Sequence, residues 1–403
     1  MAGYIMTIGS EEYLELFYAI GKNGKPRKRP KNKACSKAEG KSMAKKYALE
    51  TCIRDGIYSA KTSGSGSAFI GTLADYLGMK ADDNIYFFSD RKIYGIGVLK
   101  NIADRDCRFR VDKKGQPEKK LIDTNNPETH HFVCAFEPAP YFFKTGVDMD
   151  EVLTYAPEKI CSLRFFSGMS FIKLDDVENE AIKGVIARKN EPYLDGKTKD
   201  QYFEYQDKVH LDMNKKIQEN GNGFDLSVFD YLGKNNKGEV RSEYYLEGAI
   251  MDLLRNSFKS KYLGKWDFIA RQYPASPPKP SEYMETMDLF GYRYVDGFPN
   301  AISKYLIIEL KRGEIIEDNI RQTMKYVDWI SKEYTHGDYS MIKAYAIGID
   351  DQIDIKKRNK WDNTIIERNH IVEGRPVGNK RWSDLKILSY NKLLDELKGK
   401  MKV

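Results

Sequence analysis

Apolar residues change their spacing several times along the chain, and the changes divide it. Between residues 51 and 190 they fall in short aromatic and β-branched runs, NIYFFS (84–89), KIYGIGVL (92–99), HHFVCAFE (130–137) and SLRFFSG (162–168), broken by Gly, Asp and Pro. Such runs predict strands and turns. Helical spacing appears between them in SAFIGTLADYLG (67–78) and DDVENEAIKGVIAR (175–188), the second opening on Asp175 and Asp176, which suit a helix N-terminus. A further helix-like stretch, SKAEGKSMAKKYALETCI (36–53), precedes them. Residues 190–240 are polar, with one helical segment at 200–220 and Gly/Asn-rich turns. From 241 the order is helix, strand, strand, helix, strand. The pattern predicts a two-domain α/β (α+β) chain. Residues 1–50 form an N-terminal extension, 51–190 a β-rich domain, 191–240 a connector and 241–403 an α/β domain.

Composition narrows the class. Of 403 residues, 41% are hydrophobic and 31% charged, enough apolar material for real cores and too much for wholesale disorder. No run approaches a membrane span, and the opening MAGYIMTIGSEEYLEL lacks a leader's layout, so a soluble cytoplasmic protein is expected. The five cysteines contain no CxxC and the five histidines no HExxH, which argues against a disulfide framework or a zinc site. The adjacent His130 and His131 would point to opposite faces of a strand. The net charge of +7 is unevenly spread: eleven Lys/Arg lie between Lys22 and Lys46 against a single acid, Glu39. This is either a solvated loop or an arm that follows a phosphate backbone through Lys25, Arg27, Lys28, Arg29 and Lys31.

The chemistry concentrates in GYRYVDGFPNAISKYLIIELKRG (291–313). YRYVDGF reads as a strand, FPNAIS as a turn and KYLIIELK as a buried strand. Alternation puts Glu309 and Lys311 on one face, and Asp296 is expected to reach them from the neighbouring strand. Two carboxylates are hard ligands suited to Mg²⁺ or Mn²⁺, and a lysine beside them can orient an attacking water and offset developing charge. Upstream, the helix SEYYLEGAIMDLLRNSF (242–258) carries Glu243 and Glu247. Downstream, IRQTMKYVDWISKEY (320–334) sets Gln322 and Tyr326 one turn apart, and the apolar MIKAYAIGID (341–350) follows.

That order of acid-bearing helix, Asp strand, ELK strand and Q-xxx-Y helix resembles the PD-(D/E)XK nuclease superfamily over roughly residues 245–350, with DLKILSYNKLL (384–394) similar to its closing strand and helix. The resemblance implies that Asp296 and Glu309 bind metal, that Lys311 is the catalytic lysine, and that Glu247 and Gln322 complete the site, Glu247 as a third metal ligand. Val295 stands where the motif's proline would be. It implies a Mg²⁺-dependent DNA endonuclease acting on double-stranded DNA, modified or not, as a homo-oligomer and without a membrane partner.

Residues 55–188 resemble the EVE/YTH-like branch of PUA-type barrels in the phrases DDNIYFFS, YGIGVL and GMSFIKLDD. Such domains take a flipped base into an aromatic pocket. Tyr58, Phe87, Tyr94, Tyr141, Phe142 and Phe165 are the candidate rings, although all four tryptophans (266, 329, 361, 382) lie elsewhere. Together the two resemblances imply a restriction or antiviral-defence enzyme whose barrel selects DNA. A Shedu-like defence or repair nuclease with a differently tasked N-terminal half, and a non-catalytic nucleic-acid-binding protein, stay open beside it.

Overall fold

The computed structural model describes residues 2–9, 18–20, 26–30, 37–62, 66–123, 129–165, 171–277, 284–350, 365–372 and 375–401. The chain is mixed α and β and divides into two compact units. Unit 1 holds residues 1–72 and 79–226; unit 2 holds 73–78 and 227–403. Among the described residues, no helix is long and apolar enough to cross a membrane.

Unit 1 contains β1 (Gly3–Thr7), β2 (Tyr18–Ile20), β3 (Pro26–Pro30), α1 (Lys37–Asp55) and β4 (Ile57–Tyr58). Helix α2 (Ser67–Leu77) follows, its last turn belonging to unit 2. Then come β5 (Asn84–Ser89), β6 (Lys92–Leu99), β7 (Arg108–Arg110), β8 (Asp112–Lys113), β9 (Gln116–Lys120), β10 (Phe132–Pro138), β11 (Val147–Asp148), α3 (Met149–Tyr155), β12 (Phe171–Leu174), α4 (Asp176–Lys189) and α5 (Lys208–Asn220). The main sheet runs β12-β1-β5-β6-β10-β4, with β11 on β6 and β7 on β10, and curls into a half-barrel. One core joins Ile5, Tyr86, Ile93 and Ile172 to Ile182, Val185 and Ile186 of α4. A second joins Phe109 and Val133 to Met213 and Ile217 of α5. Asp175 caps α4 by accepting a hydrogen bond from the Glu178 amide at 2.8 Å, the role its position in the sequence suggests.

Two boundaries differ from the sequence reading. Residues 1–50 are not a mere extension: β1 lies inside the sheet, parallel to β5, with Gly3–Met6 buried. Residues 191–226, expected to be a connector, belong to unit 1, because α5 buries His210, Met213 and Ile217 along one face. The run Ser162–Phe165, expected as a strand, is a single 3₁₀ turn.

Unit 2 is built on α6 (Glu243–Leu254), β13 (Phe268–Pro274), β14 (Thr286–Val295), β15 (Phe298–Leu310), α7 (Glu317–Glu333), β16 (Ile342–Gly348), β17 (Arg368–Val372), β18 (Arg375–Trp382), β19 (Leu385–Ser389) and α8 (Tyr390–Lys400). Its five-stranded sheet runs β13-β14-β15-β16-β19. The first three strands are antiparallel; β16 and β19 continue parallel to β15. The apolar run Tyr305–Leu310 is buried throughout, as a central strand covered on both faces requires.

Candidate active site

The sequence placed FPNAIS in a turn; in the structure β15 begins at Phe298 and the turn is the dipeptide Asp296-Gly297. Val295 pairs with Phe298 across it, and Gly297 takes φ +81°. Asp-Gly between apolar strands is the strongest short hairpin signal, since glycine enters the left-handed region without a Cβ clash. Asp296 is therefore an exposed turn residue at the hairpin tip. It lies eight residues along β14 from the residue that faces Glu309, roughly 25 Å at the rise of a strand. The expectation that Asp296 joins Glu309 and Lys311 is corrected.

The acid that does join them is Asp288. Two register shifts, between Arg293 and Tyr294 and between Tyr294 and Val295, slide the strands past each other, after which Leu289 pairs with Ile308. One step further along, Asp288 stands opposite Glu309 on the side-chain face they share. Its Oδ2 accepts a 2.7 Å hydrogen bond from the Leu310 amide. Glu309 is 1% exposed. Its Oε1 holds the Lys311 ammonium at 2.5 Å, while its Oε2 is buried without a hydrogen-bond partner.

Electrostatics follow from this placement. Burial, and then the nearby Glu247 charge, push the Asp288 carboxyl up to about 7. Burial and then Asp288 push Glu309 up to about 7 as well. Burial would lower the Lys311 ammonium, but Glu309, Glu243 and Asp288 outweigh it and raise its pKa. Two buried acids this close resist ionising together, so the pair favours taking up a proton or a cation.

Helix α6 begins at the Ser242 cap, whose hydroxyl accepts from the Tyr244 amide, and brings two more acids. Glu243 accepts from the Arg312 amide at 3.2 Å, at the end of β15. Glu247 is fully buried and both of its oxygens are taken: Arg271 Nε donates at 2.6 Å and Gln272 Nε2 at 2.7 Å. Arg271 also reaches Asp75 at 3.2 Å. Burial raises the Glu247 carboxyl even so. Gln272, at φ +49°, also approaches Asp288 Oδ1 at 3.5 Å and accepts from Thr286 through its carbonyl. Glu247 thus braces the site through Gln272, each of its oxygens accepting one hydrogen bond. Neither Gln272 nor Asp288 was singled out by the sequence reading. Asp288 carried one signal, a lone acid interrupting the apolar run Met287, Leu289, Phe290.

On α7, Gln322 Nε2 donates to Tyr326 Oη at 2.9 Å. Burial raises the Tyr326 phenol, and the Glu309 and Asp288 charges add to the rise. Gln322 is held by Tyr326 on this helix.

Among the described residues no group of three or more His, Cys, Asp or Glu side chains could by itself hold a metal ion. The donors present still suit Mg²⁺, which takes one or two carboxylates and fills its remaining positions with water and substrate phosphate oxygens. Asp288 and Glu309 supply two carboxylates at one place, and the Glu309 Oε2 is an oxygen without a proton donor to satisfy it.

The candidate rings of unit 1 separate into two groups. Phe87 and Phe142 have 0% exposure and stack on each other at 5.5 Å; Tyr58 is buried and donates to the Thr7 carbonyl. These three are core, a correction to their reading as pocket walls, since aromatic packing in a curled sheet takes the same residues. Tyr94 and Tyr141 are half-buried, Tyr94 edge-on to Phe203 and Tyr141 stacked on Tyr202 at 4.4 Å. The side chain of Phe165 lies outside the described residues. So do Lys25 and Lys31, and Arg27, Lys28 and Arg29 are described only by their place in β3. His131 packs on Phe69, and His130 contacts the Thr129 hydroxyl, both structural roles.

No family model, curated protein or solved structure matches this chain.

Proposed function

We propose that unit 2 is a Mg²⁺-dependent DNA endonuclease of the PD-(D/E)XK kind, centred on Asp288, Glu309 and Lys311. The observation that carries this reading is the meeting of two acids, one buried and one half-buried, with a lysine at one end of a central strand: Asp288 opposite Glu309, and Lys311 on the Glu309 carboxylate. A structural ion pair on a sheet surface needs no second acid across the strand, and a second acid raises the energy of keeping both charged.

Asp288 and Glu309 would hold the metal, which supplies Lewis-acid polarisation of the phosphate and a nucleophile at neutral pH. Lys311, held by Glu309, is placed to orient the attacking water and to neutralise charge building on the phosphate oxygens. Glu247, fixed by Arg271 and Gln272, keeps Asp288 in register. Gln322 and Tyr326 close the site from α7 and can hydrogen-bond substrate or water.

In this reading unit 1 selects the DNA, as the barrel resemblance implies, with Tyr94 and Tyr141 the rings left for contact with a base. One site per chain cuts one strand at a time, so a double-strand break takes two copies. A restriction or defence role is the setting this reading fits.

The test is cleavage of plasmid DNA by the full chain with Mg²⁺, with and without EDTA, on modified and unmodified substrates. Mg²⁺-dependent cutting that is lost in Asp288→Asn and in Lys311→Ala supports the assignment. Cutting by Lys311→Ala at the parental rate sinks it, and equal cutting of both substrates sinks the base-selective role of unit 1.

A further inference from the structure

Helix α7 has a second working face. A groove of about 590 Å³ lies along it, lined by Arg321, Lys325, Asp328, Trp329, Lys332 and Arg368. This is the size of a small-ligand site. Four of those six side chains are cationic, one is acidic and one is a half-buried indole. The cations are not locked in place. Arg321 holds Glu317 and Lys325 holds Glu285 in weak, solvent-exposed pairs, which a phosphate can displace. Arg368 is fixed differently, with two bonds to Asp328 at 2.7 and 3.0 Å, and so shapes the floor.

The groove runs along the same helix that carries Gln322 and Tyr326. At 3.6 residues per turn, Gln322 and Trp329 are two turns apart on one stripe of α7, with Tyr326 between them. Arg321, Lys325 and Lys332 form the neighbouring stripe. Glu285, three residues before Asp288, pairs with Lys325 at 2.6 Å, and its carbonyl accepts from the amide of Ala275 in the groove wall. A polyanion whose phosphate sits at Asp288 and Glu309 would continue along these cations.

We infer that this groove binds an unpaired nucleotide of the strand being cut, with its base against Trp329 and its phosphates on Arg321, Lys325 and Lys332. The inference rests on the nuclease reading of the adjacent site and adds the form of its substrate: a single-stranded or splayed segment beside the scissile phosphate. A base inside a duplex is stacked on both sides and cannot offer its face to an indole, whereas an unstacked base can.

The experiment uses the full chain carrying Lys311→Ala, in EDTA, so that binding is read without cleavage. Fluorescence anisotropy measures its affinity for a short single-stranded oligonucleotide and for a blunt duplex of the same sequence. Adding Trp329→Ala should weaken single-strand binding by about 5- to 150-fold, the loss of one base stack. Trp329→Phe should keep most of the affinity and reports that the helix is still folded. Blunt-duplex affinity should not change. Arg321→Ala with Lys332→Ala should lower the salt dependence of single-strand binding by about 0.7 per lost phosphate contact. Unchanged single-strand binding in Trp329→Ala, or an equal loss on both substrates, overturns the inference. If the parent cuts DNA while either of those results is seen, only the groove assignment fails. If the parent neither binds nor cuts any nucleic acid, the nuclease reading fails and takes the groove with it.

Discussion

Each unit of the molecule sets a buried glutamate beside a half-buried aspartate, and the two pairs are built to opposite ends. In unit 1, Glu178 is fully buried and its Oε1 accepts from the Cys161 and Ser162 amides at 2.6 and 2.5 Å, while Asp175 accepts from the Glu178 amide. The carboxylates are spent on backbone donors that tie α4 to the turn before β12. In unit 2, Asp288 takes one backbone donor, while Glu309 holds Lys311 with one oxygen and leaves Oε2 bare. Glu178 also has one oxygen without a partner, so an unsatisfied atom alone does not mark a site. What separates the pairs is their company. The unit 1 pair has amides and a helix N-terminus, which a structural acid wants. The unit 2 pair has a lysine, further acids on α6, and the Gln322–Tyr326 pair on α7, which a reaction centre wants.

The largest expected effect breaks the comparison at the lysine. Lys311→Ala or Glu309→Gln should lower DNA cleavage by about 10²- to 10⁴-fold, the scale of a lost acid–base or charge-stabilising group, with the fold retained in circular dichroism. Glu178→Ala should do the reverse. It strands two buried amides and leaves a gap, so a loss of about 1–3 kcal/mol in denaturant unfolding is expected, while cleavage per folded molecule stays within about twofold. A Glu178 variant that folds normally and cannot cut would erase the distinction between the pairs.

Acidity sharpens the same contrast. Burial, and then Asp175, push the Glu178 carboxyl up to about 8; burial pushes Asp175 up to about 6. A carboxyl whose folded pKa is raised binds its proton more tightly when folded. Its contribution is therefore complete below the unfolded value near 4.3 and is lost as pH rises toward about 8. Unfolding free energy should fall between those limits, and Glu178→Gln, neutral at every pH, should flatten the fall. A decline equally steep in Glu178→Gln would place the titration elsewhere.

Metal gives the complementary reading. Mg²⁺ at about ten times its dissociation constant should stabilise the parent by about 1.4 kcal/mol through binding the folded state. Differential scanning calorimetry should show the rise in Glu178→Gln as in the parent, and no rise in Asp288→Asn. Equal stabilisation of Asp288→Asn would remove that residue from the metal.

How much of this was legible in the sequence depends on whether the information was local. The strand Tyr305–Leu310 announces itself as an unbroken apolar run, and alternation alone puts Glu309 beside Lys311. The Asp175 cap is likewise written in two residues. Asp288 was hidden because its partner is set by two register shifts near the hairpin tip, which no period-2 pattern encodes. The place of β1 was hidden for a related reason: a five-residue strand pairs in parallel with one about eighty residues later. The α5 helix was misassigned to a connector because its buried stripe is only three residues in thirteen.

The smallest expected effect bears on the edge of the site. Asp296 was the natural acid to choose from the sequence, being the nearest one before the ELK strand. The register instead leaves it exposed in the turn while Asp288 faces Glu309. Asp296→Asn should therefore leave cleavage within about twofold and stability within about 0.5 kcal/mol, as for an exposed turn position that either residue suits. Made beside Asp288→Asn in one plasmid-cleavage series, it tests register rather than chemistry: both changes remove one carboxylate from the same hairpin, and only their positions along it differ. If Asp296→Asn were the inactive one, the turn would have to lie several residues later in the chain, and Asp288 would lose its place opposite Glu309.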